Sequence, residues 1–243
     1  MKSKIAELIK MNIQPVAVIR CEGVPEGAIT FRAGLTGGCA KGCTVMMINA
    51  ASKGKVTAIT DETMPCNGGK AGAGINEFKL GIIEYFLSNG EKGPREGEFY
   101  KQTPDLAKEY ILNMPKVKKT ECMVFKPLSL VEDPEEVEAV IFLANADQFS
   151  GLITLANYDQ PVQDTVKMNF GAGCAQMVLY AIHENEIGGC NCFAGLTDPS
   201  ARLYIDKNLL GFSIPYCRFL KMEKNAQESF MKTGTWKKIQ ERI

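Results

Sequence analysis

Residues 42–59 read G-C-T-V-M-M-I-N-A-A-S-K-G-K-V-T-A-I, and this stretch decides the fold. Residues 39–52 carry helical spacing. The pattern stops at Lys53-Gly54, where glycine is a usual C-terminal cap. The short β-branched run 56–59 then reads as a buried strand. A helix that closes directly onto a strand is the unit of a layered α/β protein.

The same alternation runs along the chain. Residues 3–12 predict a helix broken at Gln14-Pro15, and 16–19 a strand. A glycine-rich loop, 64–74, leads to a helix over 76–88 that stops at Asn89-Gly90. Thr103-Pro104-Asp105 starts another helix, with proline at its first position. Strands are expected at 123–125 and 139–144, and Asn145 caps a helix from 146 to 156. Residues 174–184 read as helix, 192–196 and 212–214 as strands, and 223–232 and 235–242 as closing helices. The fold class is α/β, with a segregated α+β arrangement as the alternative, in one domain over residues 1–243. The longest candidate linker, 88–103, is charged but short.

Nine cysteines accompany a single histidine. No C-x-x-C pair exists, which removes zinc ribbons and dithiol redox motifs. Cys39 and Cys43 share a helix face at i, i+4, but the third position of a radical-type cluster motif is Met46. What remains is scattered single cysteines assembled by the fold. Three of them sit beside glycine in turn-forming surroundings: Cys43 in A-K-G-C-T, Cys66 in M-P-C-N-G-G and Cys174 in G-A-G-C-A-Q. Glycine lets backbone approach a sulfur-bound group closely. After Cys66, the run Asn67-Gly68-Gly69 can turn amides toward the sulfur. Cys21, Cys122 and Cys217 read instead as small buried hydrophobes.

The charges balance, 28 basic against 28 acidic, with no basic block, which excludes nucleic acid and anionic membrane as main partners. No apolar run approaches the roughly 18 residues that span a bilayer. The opening residues do not read as a signal peptide. A cytoplasmic location is expected, where an odd, reduced set of thiols points to metal or catalysis rather than disulfides.

The segment G-C-T-V-M-M-I from Gly42 echoes G-C-A-Q-M-V-L from Gly173. Each places a cysteine after glycine at a helix start that leads to a strand. An internal pseudo-repeat would let the two cysteines face each other across a pseudo-twofold axis. His183 reads as a surface or satisfied core histidine. Asp198, in D-P-S-A-R, reads as a cap for the next turn. Arg202 in the same segment is a candidate grip for an anionic ligand.

In these residues the chain resembles an uncharacterised family, the ArCR proteins of archaea and anaerobic bacteria. The resemblance rests on the P-V-A-V strand at residues 15–18, on Cys43 at a helix start, on C-N-G-G at Cys66 and on Cys174. It also takes in D-P-S-A-R and the closing N-A-Q-E-S-F and T-G-T-W segments. It implies a cytosolic protein of anaerobic metabolism and brings no reaction with it.

Reduced thiols with almost no histidine favour iron–sulfur over other metals. The leading expectation is a 4Fe-4S cluster held by Cys43, Cys66 and Cys174, with Cys39, Cys190 or Cys192 as fourth ligand. Asn67, Gly68, Gly69 and Arg202 would line the bound group. A cluster with three protein thiolates leaves one iron open for lyase or redox chemistry on a small molecule. Two alternatives stand: a metal-free enzyme with Cys66 as nucleophile, and a non-catalytic module for a metal or small anion. A small-molecule ligand or a redox protein is the expected partner. The sequence leaves the oligomeric state open.

Overall fold

Strand β1 (Val16–Cys21) is buried on both sides: Val16 and Val18 enter one core, Ala17 and Ile19 the other. Side chains alternate across a strand, so a continuous apolar run marks a strand covered twice. The computed structural model describes residues 1–31, 42–93, 96–132 and 137–243, and it wraps helices around such strands. The described strands form one mixed sheet in the order β2-β3-β1-β4-β7-β6-β5. Here β2 is Thr57–Thr60, β3 Cys122–Pro127, β4 Val137–Ala144, β5 Val166–Lys167, β6 Cys192–Gly195 and β7 Leu210–Pro215. Every pairing is antiparallel except β5 with β6.

One sheet face packs on α1 (Lys4–Leu8), α6 (Ala146–Asn157), α9 (Tyr216–Asn225) and α10 (Gly234–Gln240) through Ile5, Leu152, Phe219 and Trp236. The other packs on α2 (Thr44–Ser52) and α7 (Tyr180–Glu186) through Val45, Ile48, Ala181 and Ile182. The α/β reading of a single domain stands. Asn145 caps α6 as expected, in a capping box with Gln148.

Other expectations need correction. The run 64–74 is not only a loop: residues Asn67–Gly72 form α3. The helix expected over 76–88 shrinks to α4 (Ile83–Phe86). Gly81 in the left-handed region, φ +117°, precedes it. The 174–184 helix opens with a π turn over Ala175–Leu179. The closing helix begins at Tyr216, ahead of the expected 223. Helix α5 (Pro104–Leu112) starts where Thr103-Pro104 placed it. The first residues of the stretch expected to be helical from 39, including Cys39, lie outside the described residues.

The strand registers contain an internal twofold relation. β1 meets β4 through Val16 with Ile141, Ala17 with Val140, and Val18 with Ala139. Exchanging Val16 for Ala139, Ala17 for Val140 and Val18 for Ile141 returns the same three pairs. The pseudo-axis therefore passes through the Ala17–Val140 pair. The flanking strands obey the same exchange. β3 ends at Pro127 opposite Val16, and β7 ends at Pro215 opposite Ala139. Each proline turns the chain into a helical segment with nearly equal angles, φ −51° and ψ 134° against φ −52° and ψ 141°. Thr57 of β2 faces Phe125, and Phe193 of β6 faces Ser213, at the same distance from those prolines. Ile29 bridges Thr57 in parallel, as Lys167 pairs with Phe193 in parallel. β1, β2 and β3 thus correspond to β4, β6 and β7.

Candidate functional site

The helices on the α2/α7 face carry a cysteine at or within their first turn. Cys43 is the N-cap of α2, in extended conformation, and the helix leads to β2. Cys174 precedes the π turn and α7, which lead to β6. The two are counterparts in the pseudo-repeat, as the echo of G-C-T with G-C-A suggested. Cys66 is the N-cap of α3, and its Sγ accepts the Gly69 amide at 3.3 Å. The glycines after Cys66 thus supply an amide to the sulfur.

Helix α3 carries Cys66 against Cys174. The Cys174 thiol donates to the Gly68 carbonyl at 3.4 Å. A Cβ on Gly72 would stand 2.6 Å from Cys174 Sγ and 3.0 Å from the Ala175 amide nitrogen. Only glycine allows that approach. Cys43, Cys66 and Cys174, from three separate segments, come within electrostatic reach of one another. Burial pushes the Cys43 thiol up to about 11, and the neighbouring Cys66 and Asp198 add to it. Burial, then Cys66, Cys43 and Asp198, raise the Cys174 thiol well above its ordinary value. As anions these groups repel one another, and a cation between them reverses that balance.

Asp198 joins this group and was missed as a site residue. It holds the N-cap position of α8 (Pro199–Arg202), yet its side chain makes no capping hydrogen bond. It is 3 % exposed. Oδ2 accepts the Ser200 hydroxyl at 3.0 Å, and Oδ1 is buried without a well-aligned hydrogen-bond partner. A Cβ on Gly173 would meet Oδ1 at 3.1 Å, so the carboxylate lies against the residue before Cys174. Burial raises its carboxyl above the usual range.

Among the described residues, no three His, Cys, Asp or Glu side chains form a group that could hold a single metal ion. Thiolates on one tetrahedral zinc stand only about 3.8 Å apart, from zinc–sulfur bonds of about 2.3 Å. The cysteine group is not drawn together in that way.

Residues 4–225 match the family described as uncharacterised ArCR. The chain belongs to the ArCR family. The match ends where the closing N-A-Q-E-S-F segment begins, so that segment and T-G-T-W add nothing to it. No curated protein and no solved structure matches the chain.

The remaining candidates of this ArCR chain fall elsewhere. Cys192 belongs to the core on the opposite sheet face, where its thiol contacts Met222 Sδ at 3.9 Å. Burial pushes it up to about 12, and Cys190 and Arg218 are its neighbours there. Cys192 therefore lies on the sheet face opposite the Cys43 group. Cys21 and Cys122 face each other across β1 and β3. Arg202 donates to the Lys207 and Leu209 carbonyls and so ties down the loop after α8. His183 Nδ1 lies 3.2 Å from the Lys116 carbonyl, in keeping with a satisfied structural histidine. No described helix is long and apolar enough to cross a membrane.

A cleft of about 410 Å³ lies on the Cys174 side, lined by Lys101, Leu106, Glu109, Tyr110, Asn113, Asn169, Phe170 and Tyr180. Tyr110 and Tyr180 both lie within electrostatic reach of Cys174. The Lys101 ammonium sits over the Tyr110 and Phe170 rings at 5.0 and 5.1 Å. Tyr100 packs edge-on against Phe170, and its hydroxyl accepts the Ser200 amide. The wall of the cleft is therefore continuous with the segment that carries Asp198.

Proposed function

We propose that this ArCR protein binds an iron–sulfur cluster of the 4Fe-4S type through Cys43, Cys66 and Cys174. The observation that carries the reading is the meeting of these three thiols, one buried and two half-buried, from three distant segments. Thiolates are the usual ligands of such clusters. The Gly69 amide on Cys66 Sγ is the type of contact that tunes a ligating sulfur. Burial keeps the Cys43 and Cys174 thiols protonated, and metal binding would release those protons.

Bound there, the cluster supplies electron transfer or a Lewis-acidic iron at the position that lacks a thiolate. The protein's own part is to hold the three sulfurs, exclude water around Cys174, and admit a small molecule along the cleft. Lys101 and Glu109, with Asn113 and Asn169, give that cleft one cation, one carboxylate and two amides, which suits a small polar ligand. A cytoplasmic setting accords with reduced thiols.

Purification and reconstitution without oxygen test the reading. A brown protein with matching iron and acid-labile sulfide is expected. A second reading, Cys66 as a metal-free nucleophile, rests on its half-buried sulfur and the Gly69 amide. Alkylation of Cys66 that runs equally fast before and after reconstitution would favour it.

A further inference from the structure

The pseudo-twofold relation of the sheet assigns every cysteine of the site a counterpart. Cys43 and Cys174 exchange: each opens the helix that leads into an equivalent strand, β2 or β6. Cys66 is the N-cap of α3, the first helix after β2. Asp198 is the N-cap of α8, the first helix after β6. The position related to Cys66 by the internal symmetry is therefore Asp198. A site built by two related halves would take two ligands from each.

We propose that Asp198 is the fourth ligand, an oxygen where the other half of the fold supplies the Cys66 sulfur. The proposal rests on the cluster reading and deepens it. Three observations beyond the symmetry carry it. The side chain is 97 % buried and has turned away from the helix amides that an N-cap aspartate usually accepts. Its Oδ1 makes no well-aligned hydrogen bond, while the Ser200 hydroxyl on Oδ2 fixes the carboxylate plane. Oδ1 stands beside Gly173, and the carboxylate is within electrostatic reach of Cys43 and Cys174. The Gly173 and Asp198 amides act on this carboxylate without a well-aligned hydrogen bond to Oδ1, and native proteins leave few buried acceptors so weakly satisfied. Coordination satisfies Oδ1.

The assignment has a chemical consequence. Carboxylate is a harder ligand than thiolate. Asp198 would hold its iron less tightly than a thiolate, leaving that position the one at which a substrate oxygen could bind. That iron would also be the first lost on oxidation.

The test uses the full chain reconstituted anaerobically with 57Fe and sulfide, as wild type, Asp198→Asn and Asp198→Cys. Readouts are iron per chain, Mössbauer spectra, and electron paramagnetic resonance of the oxidised form. Wild type is expected to hold about four irons, one of them spectroscopically distinct. Asp198→Asn should fall to about three irons, with the signal of a three-iron cluster. Asp198→Cys should return to about four irons with uniform thiolate ligation. Should the asparagine variant misfold, the cysteine variant decides alone, through loss of the distinct iron. Four irons and an unchanged spectrum in Asp198→Asn would overturn the aspartate assignment and leave the cluster standing. So would a Mössbauer spectrum of Asp198→Cys identical to wild type. A wild-type chain that takes up no iron overturns the cluster reading itself, and the ligand assignment with it.

Discussion

Substituting Gly72 by alanine inserts one methyl group between α3 and the start of the π turn. Its Cβ would stand 2.6 Å from Cys174 Sγ and 3.0 Å from both Cys174 Cβ and the Ala175 nitrogen. Two of those atoms belong to, or are bonded to, backbone and cannot swing aside, so α3 must move. Overpacking of this kind costs about 1–3 kcal/mol. Alanine regains up to about 1 kcal/mol of helix propensity over glycine, so the net loss is about 1–2 kcal/mol. For a chain of this size that lowers Tm by about 2–8 °C. Gly68→Ala is the control, because a Cβ there meets only Cys66 Sγ, at an ordinary 3.8 Å. It should be neutral or slightly stabilising. The assay is urea and thermal unfolding of both metal-free variants, followed by iron uptake. Gly72→Ala should also bind less iron, since it parts Cys66 from Cys174. Equal stability and equal iron uptake in the two variants would refute the reasoning that α3 must lie flush against Cys174.

Four further outcomes follow from other parts of the fold. Arg218, 1 % exposed, donates to both Asp159 oxygens and to the Ala156 carbonyl. Its hydrogen bonds hold the Asp159 carboxyl at about 2, below its ordinary 3.8. A depressed carboxyl stabilises the fold above pH 4, and the contribution disappears as pH falls from about 4 to about 2. Because Asp159 is itself exposed, it amounts to about 1 kcal/mol. Urea unfolding of Asp159→Asn against pH should show a flatter acid limb than wild type. Asp159→Ala, which leaves the buried guanidinium short of partners, should cost about 2–4 kcal/mol by the same measurement. Cys192→Ala should leave iron content unchanged while costing about 1–2 kcal/mol of stability, because its thiol lies in the opposite core. Tyr110→Phe removes a buried hydroxyl shared with the Tyr180 hydroxyl and the Ala172 backbone, so the unfolding free energy should fall by about 0.5–1.5 kcal/mol.

Local rules made much of the fold legible. The double-sided apolar runs at β1 and β4, Thr103-Pro104 before α5, and Asn145 with Gln148 each specify their element through short-range chemistry. Tertiary context governs the rest. The α9 helix starts directly from the proline that ends β7, with Tyr216, Phe219 and Met222 as its buried stripe. The charged run after residue 220 drew the expected helix too late. β5 has only two residues and exists because β6 offers it an edge. At the site, glycine context marked Cys43, Cys66 and Cys174 in the sequence. Asp198 could not be marked in the same way, since D-P-S is also ordinary capping chemistry. Its equivalence to Cys66 lies in strand order and register, which the sequence does not display. The G-C-T and G-C-A echo was the one legible sign of that symmetry.

The most direct test of the site is iron and sulfide per chain after anaerobic reconstitution of wild type, Cys66→Ala and Cys122→Ala. Cys66 faces the proposed cluster, while Cys122 is buried in the core on the other side of the sheet. Wild type and Cys122→Ala should hold equal amounts, and Cys66→Ala should lose most of its iron while remaining folded. Full iron in Cys66→Ala, or none in wild type, would contradict the account.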